Sequence, residues 1–266
     1  LQERQITTMG KNIHALKVAG SFDECQTLVK RAFLDPELRA HHTFASANSI
    51  NVARLIPQSF YYFYAYGQVA QYKKSVTISV PCGNFGNLTA GIFAKQMGLP
   101  IDHFIAATNV NDVVPEYLKT GLYHPRASQQ TISNAMDIGD PSNFARLREL
   151  FQNDHRKMAA EITGIGISDE ETLATIRSAQ HQHHYLLDPH GAVAFAALSK
   201  YLNKKAKNGI GIFLETAHPA KFAPDVERAI GERIKIPETL KTHGQKHAIP
   251  IPAEYEKFTA CLRAPL

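Results

Sequence analysis

The sequence predicts an α/β fold, with a mostly parallel sheet flanked by helices and a partial, smaller βα piece at the N-terminal end. Three observations predict it. Short apolar runs bounded by turn residues recur at Ser75–Val80, His103–Thr108 and Ile210–Glu215. Stretches with apolar residues at helical spacing separate them. The run Ser75-Val-Thr-Ile-Ser-Val-Pro-Cys-Gly-Asn-Phe-Gly-Asn-Leu-Thr-Ala-Gly91 passes from a buried strand, through a glycine–asparagine loop, into a helix expected to open at Leu88.

The elements follow in order. Asn12 to Val18 reads as a short strand. Ser21-Phe-Asp-Glu24 has the form of a capping box, and Cys25, Leu28, Val29, Ala32 and Phe33 continue it at helical spacing. A helix is expected from about Asn51 to Gln71. It carries Phe60, Tyr61, Tyr62, Phe63, Tyr64 and Tyr66, which read as a core-facing helix with some tyrosines at the surface. Pro57 predicts a kink in it. After the strand–loop–helix come the strand His103–Thr108 and a polar excursion over 109–143 with short helices, long enough to suggest a functional loop. Phe144 to Phe151 is helical. Ser168-Asp-Glu-Glu171 is a second capping box, starting a helix to about Gln180. An alanine-rich helix (Gly191 to Leu202), the strand Ile210–Glu215 and a helix (Phe222 to Ile230) complete the pattern. The prolines from Pro237 onward predict a tail over the surface. The expected divisions are 1–45, 46–236 and 237–266.

Composition narrows the function. The chain has 266 residues, 44% of them apolar, and a net charge of +5, which suits a packed globular fold. Lys and Arg are scattered. The densest cluster, Lys200 to Lys207, holds four lysines and reads as a solvated helix end, not a nucleic-acid patch. No apolar run reaches membrane-spanning length, and no signal peptide is visible. Cys25, Cys82 and Cys261 have no paired spacing, which argues against a disulfide framework or structural zinc and suits the cytoplasm. Cys82 adjoins a helix start that would lower its pKa, but a small buried residue at a strand end is the favoured reading. His181, His183 and His184 lack a carboxylate or cysteine at ligand spacing and read as a solvated helix end.

The loop after the first buried strand has the chemistry of an anion site. Backbone N–H groups at a helix start lack intrahelical acceptors, and the helix dipole adds positive potential. Gly83 and Gly86 allow close approach and φ > 0. Neither the P-loop nor the dinucleotide spacing is present. Ligands of parallel α/β sheets collect beyond the carboxyl ends of the strands. Gly83-Asn-Phe-Gly-Asn87 and Thr216-Ala-His218 both lie there, so they are expected to meet in one pocket.

With Ser46-Ala-Asn-Ser-Ile-Asn-Val-Ala-Arg54, Ala106-Ala-Thr-Asn-Val-Asn-Asp-Val-Val-Pro115 and Thr216-Ala-His-Pro-Ala-Lys-Phe222, this loop resembles the threonine synthase family over essentially the whole chain. Ser133-Asn-Ala-Met-Asp137 and Asp188-Pro-His-Gly-Ala-Val193 fit the same pattern. The resemblance implies a pyridoxal 5'-phosphate (PLP) enzyme of fold type II, the tryptophan-synthase-β type. It implies that Gly83, Asn84, Phe85, Gly86 and Asn87 hold the PLP phosphate through N–H groups, and that the Thr216 hydroxyl faces the pyridine nitrogen. It assigns the phosphate of O-phosphohomoserine to Asn48, Ser49 and Arg54, with Lys221 as a further contact. His218 reads equally as orienting that loop or as a turn residue packed against its backbone. The implied reaction converts O-phosphohomoserine and water to threonine and phosphate.

The family's Phe-Lys-Asp segment, whose lysine forms the Schiff base, and its Ser-Gly-Asp-Thr-Gly loop are not found in the 266 residues. The resemblance therefore implies a C-terminal fragment with no catalytic residue of its own. Residues 1–45 are then a remnant of the smaller domain, the missing N-terminal part is the partner, and the isolated chain is expected to be inactive. Two alternatives stand beside this reading. A serine/threonine dehydratase or cysteine synthase would use a run of glycines for the PLP phosphate and would not need the Asn48-Ser49-Arg54 group. A non-catalytic threonine-synthase-like protein would bind a phosphorylated ligand.

Overall fold

The computed structural model describes Thr7 and residues 12–204, 209–238 and 247–264. Two compact units emerge: residues 46–234, here the sheet unit, and residues 1–45 together with 235–266, here the terminal unit.

The terminal unit begins with β1 (Leu16–Ala19), α1 (Phe22–Leu34) and α2 (Pro36–His41). The capping box at the start of α1 is formed. Glu24 N–H donates to Ser21 Oγ at 3.3 Å, and Ser21 N–H donates to the Glu24 carboxylate at 2.7 Å.

The sheet unit contains α3 (Leu55–Gly67), β2 (Val76–Pro81), α4 (Gly86–Gln96), β3 (His103–Thr108), α5 (Val113–Thr120), α6 (Phe144–Leu150) and α7 (His155–Glu161). It continues with β4 (Ile162–Gly166), α8 (Asp169–His183), α9 (Pro189–Lys204), β5 (Ile210–Phe213) and α10 (Ala223–Ile230). Its four strands are all parallel, in the order β4-β3-β2-β5. Side chains alternate across the sheet, as a strand's period of two requires. Ile78, Val80, Phe104 and Ala106 pack with Leu55, Tyr62, Leu88 and Ile92 of α3 and α4. Ile105 and Ala107 pack on the other face with Val193, Ala194 and Ala197 of α9. Both faces are thus covered, which is why the strands read as continuous apolar runs.

Two details explain residues that look out of place. Pro57 lies in the first turn of α3, where its missing N–H has no intrahelical acceptor to lose, so the predicted kink has no cause. Tyr62 is fully buried, while Phe60 and Tyr64 of the same aromatic run are exposed. A Cβ on Gly91 would stand 2.8 Å from both the Phe104 and Tyr62 rings, so glycine lets α4 approach them.

The structure departs from expectation in several places. Residues 155–166 carry α7 and β4, where no element was predicted. The expected surface tail instead contributes β6 (Ile249–Pro252) and α11 (Tyr255–Arg263) to the terminal unit. Residues 239–246 and 265–266 of that tail, and Lys205 and Lys207 of the lysine cluster, lie outside the described residues.

β6 pairs in parallel with β1, Leu16 opposite Ile249 and Ala19 opposite Pro252. Ile249 N–H donates to Ala15 O at 2.8 Å, so the odd-numbered donors face β1. Pro250 and Pro252 fall on the side facing away from β1, which carries no strand among the described residues, so their missing N–H costs no ladder bond there. In this unit Tyr255 Oη donates to Asp35 Oδ2 at 2.7 Å, and the Arg31 guanidinium lies 3.9 Å from the Tyr255 ring centroid. Arg263 pairs with Glu37 at 2.8 Å.

Candidate functional site

Sheet order locates the site. The chain lays down β2, adds β3 and β4 outward, and then returns to place β5 on the other flank of β2. The direction of winding therefore reverses between β2 and β5, and crevices in parallel sheets open at such a switch point. Gly83–Asn87 follows β2, and Thr216 follows β5. Phe213 stands opposite Ser79, and Leu214 N–H donates to Ser79 O at 3.0 Å, so Thr216 emerges beside the Cys82–Gly83 turn. Pro81 fits this strand end, because pairing with β5 has stopped before it.

The loop presents free donors. α4 opens at Gly86, two residues before the predicted start, with Phe85 at its N-cap in the left-handed region at φ 61°. Thr89 N–H reaches Phe85 O at 3.0 Å, and Leu88 N–H is taken by Asn87 Oδ1 at 2.9 Å. Among the described residues no protein acceptor takes the backbone N–H groups of Asn84, Phe85, Gly86 or Asn87. They are a row of donors at the positive end of an 11-residue helix. Asn87 is held by Nδ2 donating to Pro81 O at 2.7 Å, while its own carbonyl accepts from Tyr62 Oη at 2.6 Å.

Neither Gly83 nor Gly86 takes a positive φ, so of the two freedoms glycine offers here that one is not used. Their smallness is what matters. A Cβ on Gly83 would stand 2.4 Å from Ala135 O, in the 3-10 turn Asn134–Met136. A Cβ on Gly86 would stand 3.0 Å from Ser49 Cβ and 3.3 Å from Leu55 Cδ2. Cys82 is buried, and burial pushes its thiol well up, against the helix-dipole effect.

Asn84 ties the predicted phosphate segments together. Its Nδ2 donates to Ser49 Oγ at 3.1 Å, and its Oδ1 accepts from Ser142 N–H at 2.6 Å and Ser142 Oγ at 3.0 Å. Ser49 N–H donates to Asn48 Oδ1 at 2.6 Å. Behind them Arg146 donates to Ser49 O at 3.0 Å, to Ile50 O at 2.6 Å and to Asn143 Oδ1. Arg54 is exposed in the 3-10 turn Val52–Arg54, next to the Leu55 that packs under Gly86. The structure thus brings Asn48, Ser49 and the loop into one place, with Arg54 on the same segment.

Thr216 is exposed. The short turn Pro219–Phe222 is capped by His218, whose Nδ1 accepts the Ala220 N–H at 3.1 Å. Lys221 is half-buried in that turn, and among the described residues no hydrogen bond or ion pair links it to Asn48, Ser49 or Arg54.

Next to Thr216 is a buried polar group, of which the sequence marked Asp188 and His190 only as part of the family pattern, with no role assigned. Glu215 Oε1 accepts the Asp188 N–H at 2.9 Å. The Asp188 Oδ1 accepts from His190 Nδ1 at 2.6 Å, and His190 Nε2 accepts the Ala135 N–H at 3.3 Å. Burial, reinforced by the nearby Asp188 carboxylate, pushes Glu215 up to about 8. Burial also opposes charge on Asp188, but the hydrogen bonds from His190 and the contact with Glu215 outweigh it and hold Asp188 below the usual carboxylate range. Ser142, Asn143 and Arg146 gave no signal in the sequence. Glu215 gave one, as a carboxylate closing an apolar run.

Known proteins resemble this chain in sequence and fold. A family model described as pyridoxal-phosphate dependent enzyme matches residues 2–212, and one described as threonine synthase, C-terminal, matches residues 191–254. Threonine synthase of Haemophilus influenzae is 47% identical over 249 residues, covering 92% of this chain and 57% of that protein. Threonine synthase of Escherichia coli is 46% identical, over 90% of this chain and 55% of that protein. The crystal structure of the Escherichia coli threonine synthase superposes with a TM-score of 0.91 at 42% identity, over 98% of this chain and 60% of that one. The structure of PLP-bound threonine synthase from Brucella melitensis gives 0.84 at 35% identity, over 98% and 62%. The chain therefore spans less than two thirds of the length of these relatives. Maize serine racemase, at 17% identity and a TM-score of 0.51, shares the fold alone.

Proposed function

Since the chain belongs to the pyridoxal-phosphate dependent enzymes, and within them to the threonine synthase family, we propose that its sheet unit holds PLP and part of the substrate site of a threonine synthase. The enzyme is a cytoplasmic lyase acting on a phosphate ester, and it converts O-phosphohomoserine and water to threonine and phosphate. The residues present fit PLP. The row of free N–H groups at the start of α4 takes a phosphate, and Gly83 and Gly86 keep that row packed without a side chain in the way. Bound there, PLP supplies an electron sink for negative charge developing on the substrate carbons.

The chain's own residues bind and orient. Asn84 to Asn87 donate to the cofactor phosphate. The Thr216 hydroxyl, neutral and at the switch point, partners the ring nitrogen without forcing a proton onto it, as a carboxylate would. Asn48, Ser49 and Arg54 receive the substrate phosphate, Arg54 through its planar fork and Ser49 through a hydroxyl placed by Asn84. Lys221 is a further phosphate contact. The 266 residues include no Phe-Lys-Asp segment, so on this reading the cofactor-anchoring lysine is not among them, and they alone do not turn over substrate.

The observation that carries this reading is the Asn84–Ser49 hydrogen bond, which joins the predicted cofactor loop to the predicted substrate segment. Titration with PLP followed by phosphorus NMR tests it. The PLP phosphate resonance shifts on binding, and O-phosphohomoserine adds a second bound resonance. Binding of PLP to an Asn84→Asp, Ser49→Asp double variant as tight as to the parent would overturn the assignment.

A further inference from the structure

The buried group beside Thr216 has no part in the reading above, and its geometry is unusual for a carboxylate. One oxygen of Glu215 accepts the Asp188 N–H, while the other, Oε2, is buried and has no hydrogen-bond partner. It occupies the space that a side chain at Gly191 would fill, since a Cβ there would lie 2.5 Å from Oε2. An ionised carboxylate with one oxygen dry and unpaired is costly, and the Asp188 carboxylate beside it adds repulsion. Asp188 is the better place for the charge. It accepts from the His190 N–H and Nδ1 and from the Gly191 N–H, the last at 3.3 Å. The Ala135 N–H donates to His190 Nε2, so the histidine carries its proton on Nδ1 and points it at Asp188.

These bonds span the crevice. Glu215 is bonded in sequence to Thr216. Asp188 holds Glu215, His190 holds Asp188, and Ala135 holds His190. The Ala135 carbonyl in turn is the atom against which Gly83 packs. We propose that Glu215 is a positioning residue that carries a proton in the working protein, and that neutral Glu215, Asp188 and His190 form one bracket fixing the Thr216 turn relative to the Gly83 loop. Its bearing on the cofactor rests on the reading that these two segments hold PLP; its existence does not.

The titratable groups facing Glu215 are Asp188, Tyr185 and, through Asp188, His190. Among the described residues no Lys or Arg pairs with it. Deprotonation therefore sets two carboxylates against each other with no cation to relieve them, and the bracket opens. The folded protein binds this proton more tightly than the unfolded chain. Its contribution to stability is full below the free-carboxyl value of 4.5 and is lost as pH rises through about 8.

Infrared spectra of protein labelled with carbon-13 at the glutamate carboxyls test the proton directly. The wild type shows the carbonyl band of a protonated carboxylic acid at neutral pH, which titrates away near pH 8 and is absent from Glu215→Gln. PLP affinity across pH tests the bracket. If binding needs the protonated form, Kd rises about tenfold one pH unit above the midpoint, where about a tenth of the sites remain competent. Glu215→Gln, which stays neutral and keeps an acceptor for the Asp188 N–H, lacks that extra rise. Glu215→Ala binds weakly at every pH and has a lower thermal midpoint, which Gln restores. A wild type without the protonated band at neutral pH overturns the proposal, as does a Glu215→Gln protein with the same alkaline rise in Kd. If no variant binds PLP at any pH while the band and the thermal rescue are present, the cofactor reading fails and the bracket stands.

Discussion

Gly83→Ala isolates the packing role of the loop glycine. The new Cβ would meet Ala135 O at 2.4 Å, Met136 Cα at 2.9 Å and the Ala135 carbonyl carbon at 3.3 Å. Non-bonded heavy atoms sit comfortably at about 3.5 Å, so roughly 1 Å of separation has to be found. The obstructing atoms are backbone, and Met136 beside them is buried, so no flexible side chain can swing aside. Overpacking of this kind costs about 1–3 kcal/mol. For a unit of this size that lowers the melting midpoint by roughly 2–12 °C. Phe85 and Gly86 are buried and Ala135 is exposed, so the loop and the turn share the movement, and the loop's donors shift away from the phosphate. Losing one charge-assisted hydrogen bond costs about 1.5–3 kcal/mol, or roughly 10- to 150-fold in PLP affinity. Gly67→Ala is the control. It ends a helix with nothing within 4 Å of the new Cβ, and it should stabilise by about 0.4–1 kcal/mol. Calorimetry and a fluorescence titration with PLP read both effects. If Gly83→Ala behaved like Gly67→Ala in both, the close approach would not be holding the loop.

Further outcomes follow from the same site, measured in an enzyme of full family length. Arg54→Ala should raise KM for O-phosphohomoserine by an amount corresponding to about 1.5–3 kcal/mol while PLP content stays constant, with partial rescue by Lys; unchanged KM with lost PLP would move Arg54 to the cofactor. Arg146→Met should also raise KM while leaving PLP bound, because it releases the Ser49 and Ile50 carbonyls; a KM equal to wild type would show that the segment holds itself. Thr216→Ser should be nearly silent, and Thr216→Asp should keep PLP bound but alter its absorbance and slow turnover, since a carboxylate favours the protonated ring nitrogen. A Ser variant as impaired as the Asp variant would point to packing by the threonine methyl.

The parts of this fold that were legible in the sequence are those fixed by local chemistry. Both capping boxes stand where Ser21 and Ser168 place them, and β2, β3 and β5 are continuous apolar runs because both sheet faces are covered. β4 was not legible. Ile-Thr-Gly-Ile-Gly has only two large apolar residues, and Gly164 is required by the Pro115 Cα that would lie 2.4 Å from its Cβ, a contact made 49 residues away in sequence. The tail from Pro237 misled for a related reason. Its prolines signal a loop locally, yet at β6 they occupy the side of the strand that needs no donors. At the site, the glycine–asparagine loop and Thr216 could be read from strand ends. Arg146 and the Glu215–Asp188–His190 group could not, because their meaning depends on partners that only the folded chain brings near.

The pairing of β1 with β6 has a consequence for how the protein is made. A ribosome releases Leu16–Ala19 long before it has synthesised Ile249–Pro252, so for most of translation β1 waits without the strand it finally pairs with. Joining the two through a free chain of that length would cost about 5 kcal/mol of closure entropy, and prior folding of residues 46–234 removes most of that loop. The sheet unit should therefore acquire hydrogen-exchange protection first and the terminal unit last, the reverse of the usual N-to-C order of co-translational folding. Until then the nascent protein carries β1 without β6, and the interval between the two events is when a chaperone has most to protect.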